Sequence, residues 1–179
     1  MNRKGLVWAG LAVWAVGLLA GLWLYSKQQL TAFDPQQVLA SAASQPGFDD
    51  RFVSRLSQAG VAAGSIVHIQ PAESCYCNSL TQIHKQELAT ALPDYTVKTL
   101  VPEQLGETAA LLAALPALAV IDKDNQLRYL GPYATGFGCL TGNTLINQII
   151  STVNDPVSAM ATILTEASGC FCPSSGTSG

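Results

Sequence analysis

The run GLVWAGLAVWAVGLLAGLWLY, from Gly5 to Tyr25, holds 21 residues without a charge. At the rise of an α-helix that length crosses a bilayer core of about 30 Å, so the run predicts one transmembrane helix. Arg3, Lys4 and the terminal amine precede it and only Lys27 follows closely, which leaves residues 1–4 in the cytoplasm and exports the rest. Trp8, Trp23 and Tyr25 lie near its two ends, where interfacial aromatics belong. The competing reading is a cleaved signal peptide, but the apolar run exceeds the usual h-region and no A-x-A site follows it. The expectation is a single-pass protein of a bacterial inner membrane, held by residues 5–25, with its remaining chain in the periplasm.

Export changes the meaning of the five cysteines, Cys75, Cys77, Cys139, Cys170 and Cys172. An oxidising periplasm lets disulfides persist, whereas in a cytosol the same thiols lean towards metal or transient redox chemistry. An odd count leaves one thiol over if two bridges form, and spacing alone does not give the connectivity. The length of 179 residues fits one domain with a core plus an accessory segment. A formal charge of -3, with nine scattered Lys and Arg residues, lacks the concentrated basic patch that nucleic acid requires.

After the anchor, residues 26–50 are polar, rich in small residues and interrupted by Pro35 and Pro46, which reads as a stalk with a short helix between the prolines. Residues 51–154 carry the domain pattern. Phe52, Val53, Leu56 and Ala59 recur at helical intervals. Ile66, Val67 and Ile69 form a β-branched run bounded by Gly64 and Pro71, the mark of a buried strand. The stretch ESCYCNS follows, then SLTQIHKQELATAL, a helix whose Leu80, Ile83, Leu88 and Ala91 share a face and whose Ser79 and Gln82 suggest a capping box. Asp94 to Val101 alternates as a second strand, and Pro102 to Leu115 reads as a proline-led helix. Ala117 to Ile121 and Leu127 to Leu130 flank a polar turn, which makes a hairpin. Thr141 to Val153 supplies a last helix. Residues 155–179 form an extension with a helix-like stretch, VSAMATILTEASG, a second motif SGCFCPS, and a flexible tail.

This order of elements resembles the thioredoxin fold over Gly64 to Val153, an α/β fold with a central mixed sheet flanked by helices. The resemblance rests on Cys75 and Cys77 at the end of the first strand and on Pro116 in ALPALAVID. Overall the chain looks like a membrane-anchored bacterial protein with an uncharacterised thioredoxin-like domain. The family places a cis proline before the hairpin's first strand, packed against the dicysteine and lining a peptide groove, and Leu115-Pro116 occupies that position. The usual spacing is C-x-x-C after an aromatic, while here it is C-x-C after Ala72, Glu73 and Ser74. The resemblance implies that Cys75 attacks and Cys77 resolves a mixed disulfide, and that Cys139, in the loop after the hairpin, approaches them as a third redox thiol.

Thiol–disulfide exchange needs an accessible thiolate of lowered pKa, and a strand-to-helix junction offers one. Bridging residues i and i+2 strains disulfide geometry, so structural bonds to other cysteines stand as a second reading. Metal carriage by thiolates, copper included, stands as a third, although neither histidine is placed to assist. His68 reads as a strand residue with a local partner and His84 as a solvated helix residue. Cys170 and Cys172 read as a structural pair that fastens the tail, with a second exchanging dithiol as the alternative. The function expected is exchange with thiol- or disulfide-bearing envelope proteins, with no organic cofactor or resident metal, against a non-catalytic binding module with inert disulfides. Alkaline phosphatase, which is active only after export, is expected to be active when fused after residue 30; an inactive phosphatase alongside an active cytosolic reporter at that junction would reverse the orientation.

Overall fold

The computed structural model describes residues 3–28, 30–136, 144–155 and 160–174. The chain divides into two units, residues 1–30 and 31–179. The first holds α1 (Arg3–Gln28), in which Val7–Tyr25 is long and apolar enough to cross a membrane. The second runs β1 (Thr31–Ala32), α2 (Val38–Ala43), α3 (Phe48–Gln58), β2 (Ser65–Ile69), α4 (Tyr76–Leu80), α5 (Gln82–Ala91), β3 (Thr96–Leu100) and a 3-10 helix (Pro102–Leu111). It continues through β4 (Ala114–Leu115), β5 (Ala117–Ile121), β6 (Leu127–Gly131), α6 (Ile146–Asn154), β7 (Thr162–Ile163), β8 (Ser168–Gly169) and β9 (Cys172–Pro173).

Five strands form a mixed sheet in the order β3-β2-β5-β6-β7. β2 runs parallel to β3 and antiparallel to β5, β5 and β6 form the expected hairpin, and β7 lies parallel to β6. Every residue of β2, β5 and β6 is buried, so the sheet needs cover on both faces. The period of two divides that burial. Val67, Ile69, Ala117, Ala119 and Ile121 pack in one cluster with Phe52 and Leu56 of α3 and Leu105 of the 3-10 helix. Ile66, Leu118, Val120 and Tyr129 pack in the other with Leu88 of α5 and Ile146 and Ile149 of α6. In the turn between β5 and β6, Asp122 Oδ1 accepts the backbone N–H groups of Asp124 at 3.0 Å and Gln126 at 2.8 Å, and Asn125 takes φ 62°. Arg128, buried at the start of β6, donates to the carbonyls of Thr152 and Asp155 and thereby fixes the end of α6 to the sheet.

Several expectations are corrected by packing. The segment read as a stalk over 26–50 joins the second unit from Thr31, because Phe33, Leu39 and Phe48 supply an apolar stripe that enters the core. The short helix between its prolines is α2, whose first-turn amides at Val38 and Ala40 donate to the Asp34 carboxylate at 2.9 and 2.8 Å. The helix read over Pro102–Leu115 is a 3-10 helix that stops at Leu111 and is kinked at Gly106, where φ is 58°; Ala114 and Leu115 then turn into β4. The helix-like stretch before Cys170 contributes β7 and β8 instead, since sheet edges lie open to it. α5 buries His84 and Leu88 and leaves Ile83 60% exposed, so its inner face is rotated from the one expected. Its N-cap is Thr81, and Ser79 donates to the Tyr76 carbonyl rather than forming a capping box.

Leu56 has no exposed surface and sits where α3 meets the sheet. Leu56→Ala is expected to cost about 2–5 kcal/mol, measured as a lower denaturant midpoint with an unchanged slope.

Candidate functional site

The four described cysteines meet at the C-terminal end of β2. Cys75 caps α4 in an extended conformation (φ -132°, ψ 132°) and Cys77 lies in the first turn of that helix. Both are half-buried, while Tyr76 between them is 70% exposed. Cys170 and Cys172 approach from the tail, which is held on two sides: β8 pairs antiparallel with β1, and β9 pairs antiparallel with β4.

Two disulfides cross between the motifs. Cys75 is bonded to Cys172 and Cys77 to Cys170, closing sequence separations of 97 and 93 residues. Cys75 is thus bonded neither to Cys77 nor to Cys139, the partners a redox pair or third redox thiol implied, and Cys170 and Cys172 fasten the tail through the first motif rather than through a bond to each other. Cys170 stands at a bend after β8 and Cys172 in β9, so the two sulfurs reach the first motif from either side of Phe171. Phe171 packs edge-on against buried Phe33 with ring centroids 5.3 Å apart. The Cα separations of 6.6 and 5.4 Å lie inside the window of about 4.4–6.8 Å that a disulfide accepts. Gly169 is needed for the close approach of this strap, since a Cβ there would meet the Phe171 ring at 2.9 Å and the Gly136 carbonyl oxygen at 3.3 Å.

Pro116 follows a cis Leu115–Pro116 bond between β4 and β5. It lines a small cavity of about 30 Å³ with Cys77, Cys170, Phe171, His84 and Tyr133, space for about one water molecule. Cys139, expected as a third redox thiol, lies outside the described residues. A larger cavity, about 540 Å³, opens at the other end of the sheet among Asp94, Asp122, Lys123, Asp124 and Arg128. It holds no thiol, and Lys123 and Asp94 already pair across it at 3.1 Å.

Two buried histidines lie behind the cysteines: His68 on its strand with a partner, as expected, and His84, expected in solvent. His68 of β2 is 2% exposed, and its Nδ1 is 2.6 Å from the Tyr133 hydroxyl. Burial, and then the nearby Lys85 ammonium, pull its pKa down to about 4, so the imidazole is neutral; burial, followed by the charge of neighbouring Tyr129, pushes the Tyr133 phenol well up. Burial also lowers Lys85, whose Nζ lies 3.5 Å from Asn78 Oδ1 beside Cys77. His84, expected to be solvated, is 6% exposed, with Nδ1 3.4 Å from Glu87 Oε2. Val67 and Ile69 on either side of His68 mark its strand as buried, whereas His84, between Ile83 and Lys85, carries no such signal.

A family model described as a domain of unknown function (DUF6436) matches residues 45–174, well over half of the chain. The match takes in both C-x-C motifs and Pro116 and leaves out α1. No curated protein and no solved structure matches the chain.

The unfolded chain protonates His68 near pH 6.5 and the folded one only near pH 4. The unfolded state therefore binds more protons between those values, and stability is complete above about 6.5 and falls as pH drops towards 4. The loss is expected to reach about 3 kcal/mol at the foot of that window. Denaturant midpoints at pH 7 and 4.5 should show a smaller difference in His68→Gln than in the native protein; equal differences would remove His68 as the cause.

Proposed function

The chain belongs to the DUF6436 family, and we propose that its second unit is a thioredoxin-like domain exchanging thiols and disulfides with other envelope proteins. It is held at a bacterial inner membrane by α1, with residues 1–4 in the cytoplasm and the domain in the periplasm. Support for the fold comes from the strand order β3-β2-β5-β6, with β2 parallel to β3 and antiparallel to β5, from C-x-C at the end of β2, and from cis Pro116 at the start of β5.

The observation that carries the reading is the closeness of three sulfurs. The Sγ atoms of Cys75, Cys77 and Cys172 all lie within 4.8 Å of one another, so each bridge has a sulfur of the other beside it. In the bridged state the domain accepts electrons. A partner thiolate attacks Cys75 Sγ, the Cys75–Cys172 bond breaks, and Cys172 leaves as a thiolate that takes up a proton. A second partner thiol then displaces Cys75 from the mixed disulfide, so the partner gains a disulfide and gives up two electrons and two protons. Alternatively, the freed Cys172 thiolate attacks Cys77 and releases Cys170, moving the opening to the second bridge. The tail, paired on β4 next to Pro116, holds the edge along which a partner's chain would lie.

Dithiothreitol, added to full-length native protein in detergent, is expected to open both bridges without denaturant. Cys77→Ser/Cys170→Ser, which keeps Cys75–Cys172 but removes the neighbouring thiols, should be reduced about tenfold more slowly. Bridges that survive until the fold is denatured would instead establish an inert clamp and a binding module without redox chemistry.

A further inference from the structure

The geometry points to a second state of the same four cysteines: once both bridges are reduced, Cys75, Cys77, Cys170 and Cys172 form a tetrathiolate site for one zinc ion. Three of these sulfurs already share a 4.8 Å sphere, and the fourth, on Cys170, is bonded to a member of that group. A tetrahedral zinc with Zn–S bonds of about 2.3 Å needs sulfurs about 3.8 Å apart. A disulfide holds its sulfurs at about 2.0 Å, so opening each bridge requires its pair to separate by under about 2 Å. Rotation about the Cα–Cβ bonds supplies that movement while the Cα atoms stay put.

The backbone supports the set without the covalent bonds. β8 on β1 and β9 on β4 hold the strap on both sides of Cys170, and Phe171 anchors it against Phe33. C-x-C is narrower than the usual zinc knuckle, but two such motifs laid antiparallel supply opposite edges of a tetrahedron. Four sulfur donors in that arrangement select zinc over the harder divalent ions, which prefer oxygen.

Formation of the site balances in two steps. A reductant supplies four electrons and four protons to open the two bridges. Zinc binding then releases the four thiol protons and leaves a site of charge -2. Reduction by a water-soluble phosphine opens the bridges whether or not the domain exchanges with partners, so this state is tested apart from the exchange reading.

The test uses full-length protein in detergent, reduced anaerobically with the phosphine until alkylation counts four additional thiols, and then titrated with Zn²⁺ against a chromophoric chelator. The expected result is one zinc per chain, protection of four thiols from alkylation, and no uptake by the oxidised protein. Cys170→Ser/Cys172→Ser should weaken binding more than about 100-fold, since loss of outer-shell partners alone costs 10–100-fold. Circular dichroism checks that this variant remains folded. Cys139→Ser should bind as the native protein does. Uptake of less than one zinc by folded, reduced protein would overturn the proposal, as would full affinity in the folded tail variant or loss of affinity in Cys139→Ser.

Discussion

Three adjacent strands, β2, β5 and β6, are buried on both faces, and the rest of the second unit is arranged to meet that demand. Alternate residues of β5 belong to opposite clusters, so neither layer of helices could be removed without stranding half the strand in water. Two buried polar side chains among the described residues have partners there. His68 is there as a neutral ring against Tyr133, and Arg128 satisfies the open carbonyls at the end of α6. With the strand faces filled, chemistry is left to the strand ends. The end of β2 is where the chain turns into α4, and that is where the cysteines stand.

The tail reaches the cysteines by using what the sheet leaves open. β7 extends the main sheet beyond β6, and β8 and β9 pair with the short strands β1 and β4. Backbone hydrogen bonds thus bring Cys170 and Cys172 into register with Cys77 and Cys75, advancing by two residues on one segment as they retreat by two on the other. The strap also covers core surface, with Ala167 buried and Phe171 set against Phe33. It is a packed element of the domain rather than an appendage.

Local signals made much of this legible. The uncharged run of α1, the β-branched run Ile66–Ile69, the Asp122–Gln126 turn and the position of Pro116 each follow from short-range chemistry, and each appears where the residues put it. The failures share a cause in tertiary contacts that outweigh local preference. Alternation is hidden in a stretch as short as Thr162–Ile163, and VSAMATILTEASG has the composition of a helix until a sheet edge recruits it. Residues 31–50 look like linker because their polar and small residues conceal Phe33, Leu39 and Phe48, which share one destination. At the site, the C-x-C spacing told which cysteines belong together in sequence, not which meet in space.

The crossed pairing also bears on why there are two bridges. In the chain-entropy picture, Cys75–Cys172 closes a loop of 97 residues, worth about 4.7 kcal/mol against the unfolded chain. Once it is closed, Cys77–Cys170 adds only a ring of about six residues, worth about 2 kcal/mol by the same relation. The first bond therefore captures most of the stability that cross-linking these segments offers, and the tail is already in β register without the second. What the second pair adds that the first does not is a neighbouring sulfur, within reach of an existing disulfide and in position to complete a set of four. Stability explains one bridge here better than it explains two, and the exchange proposed for these thiols gives the second a use.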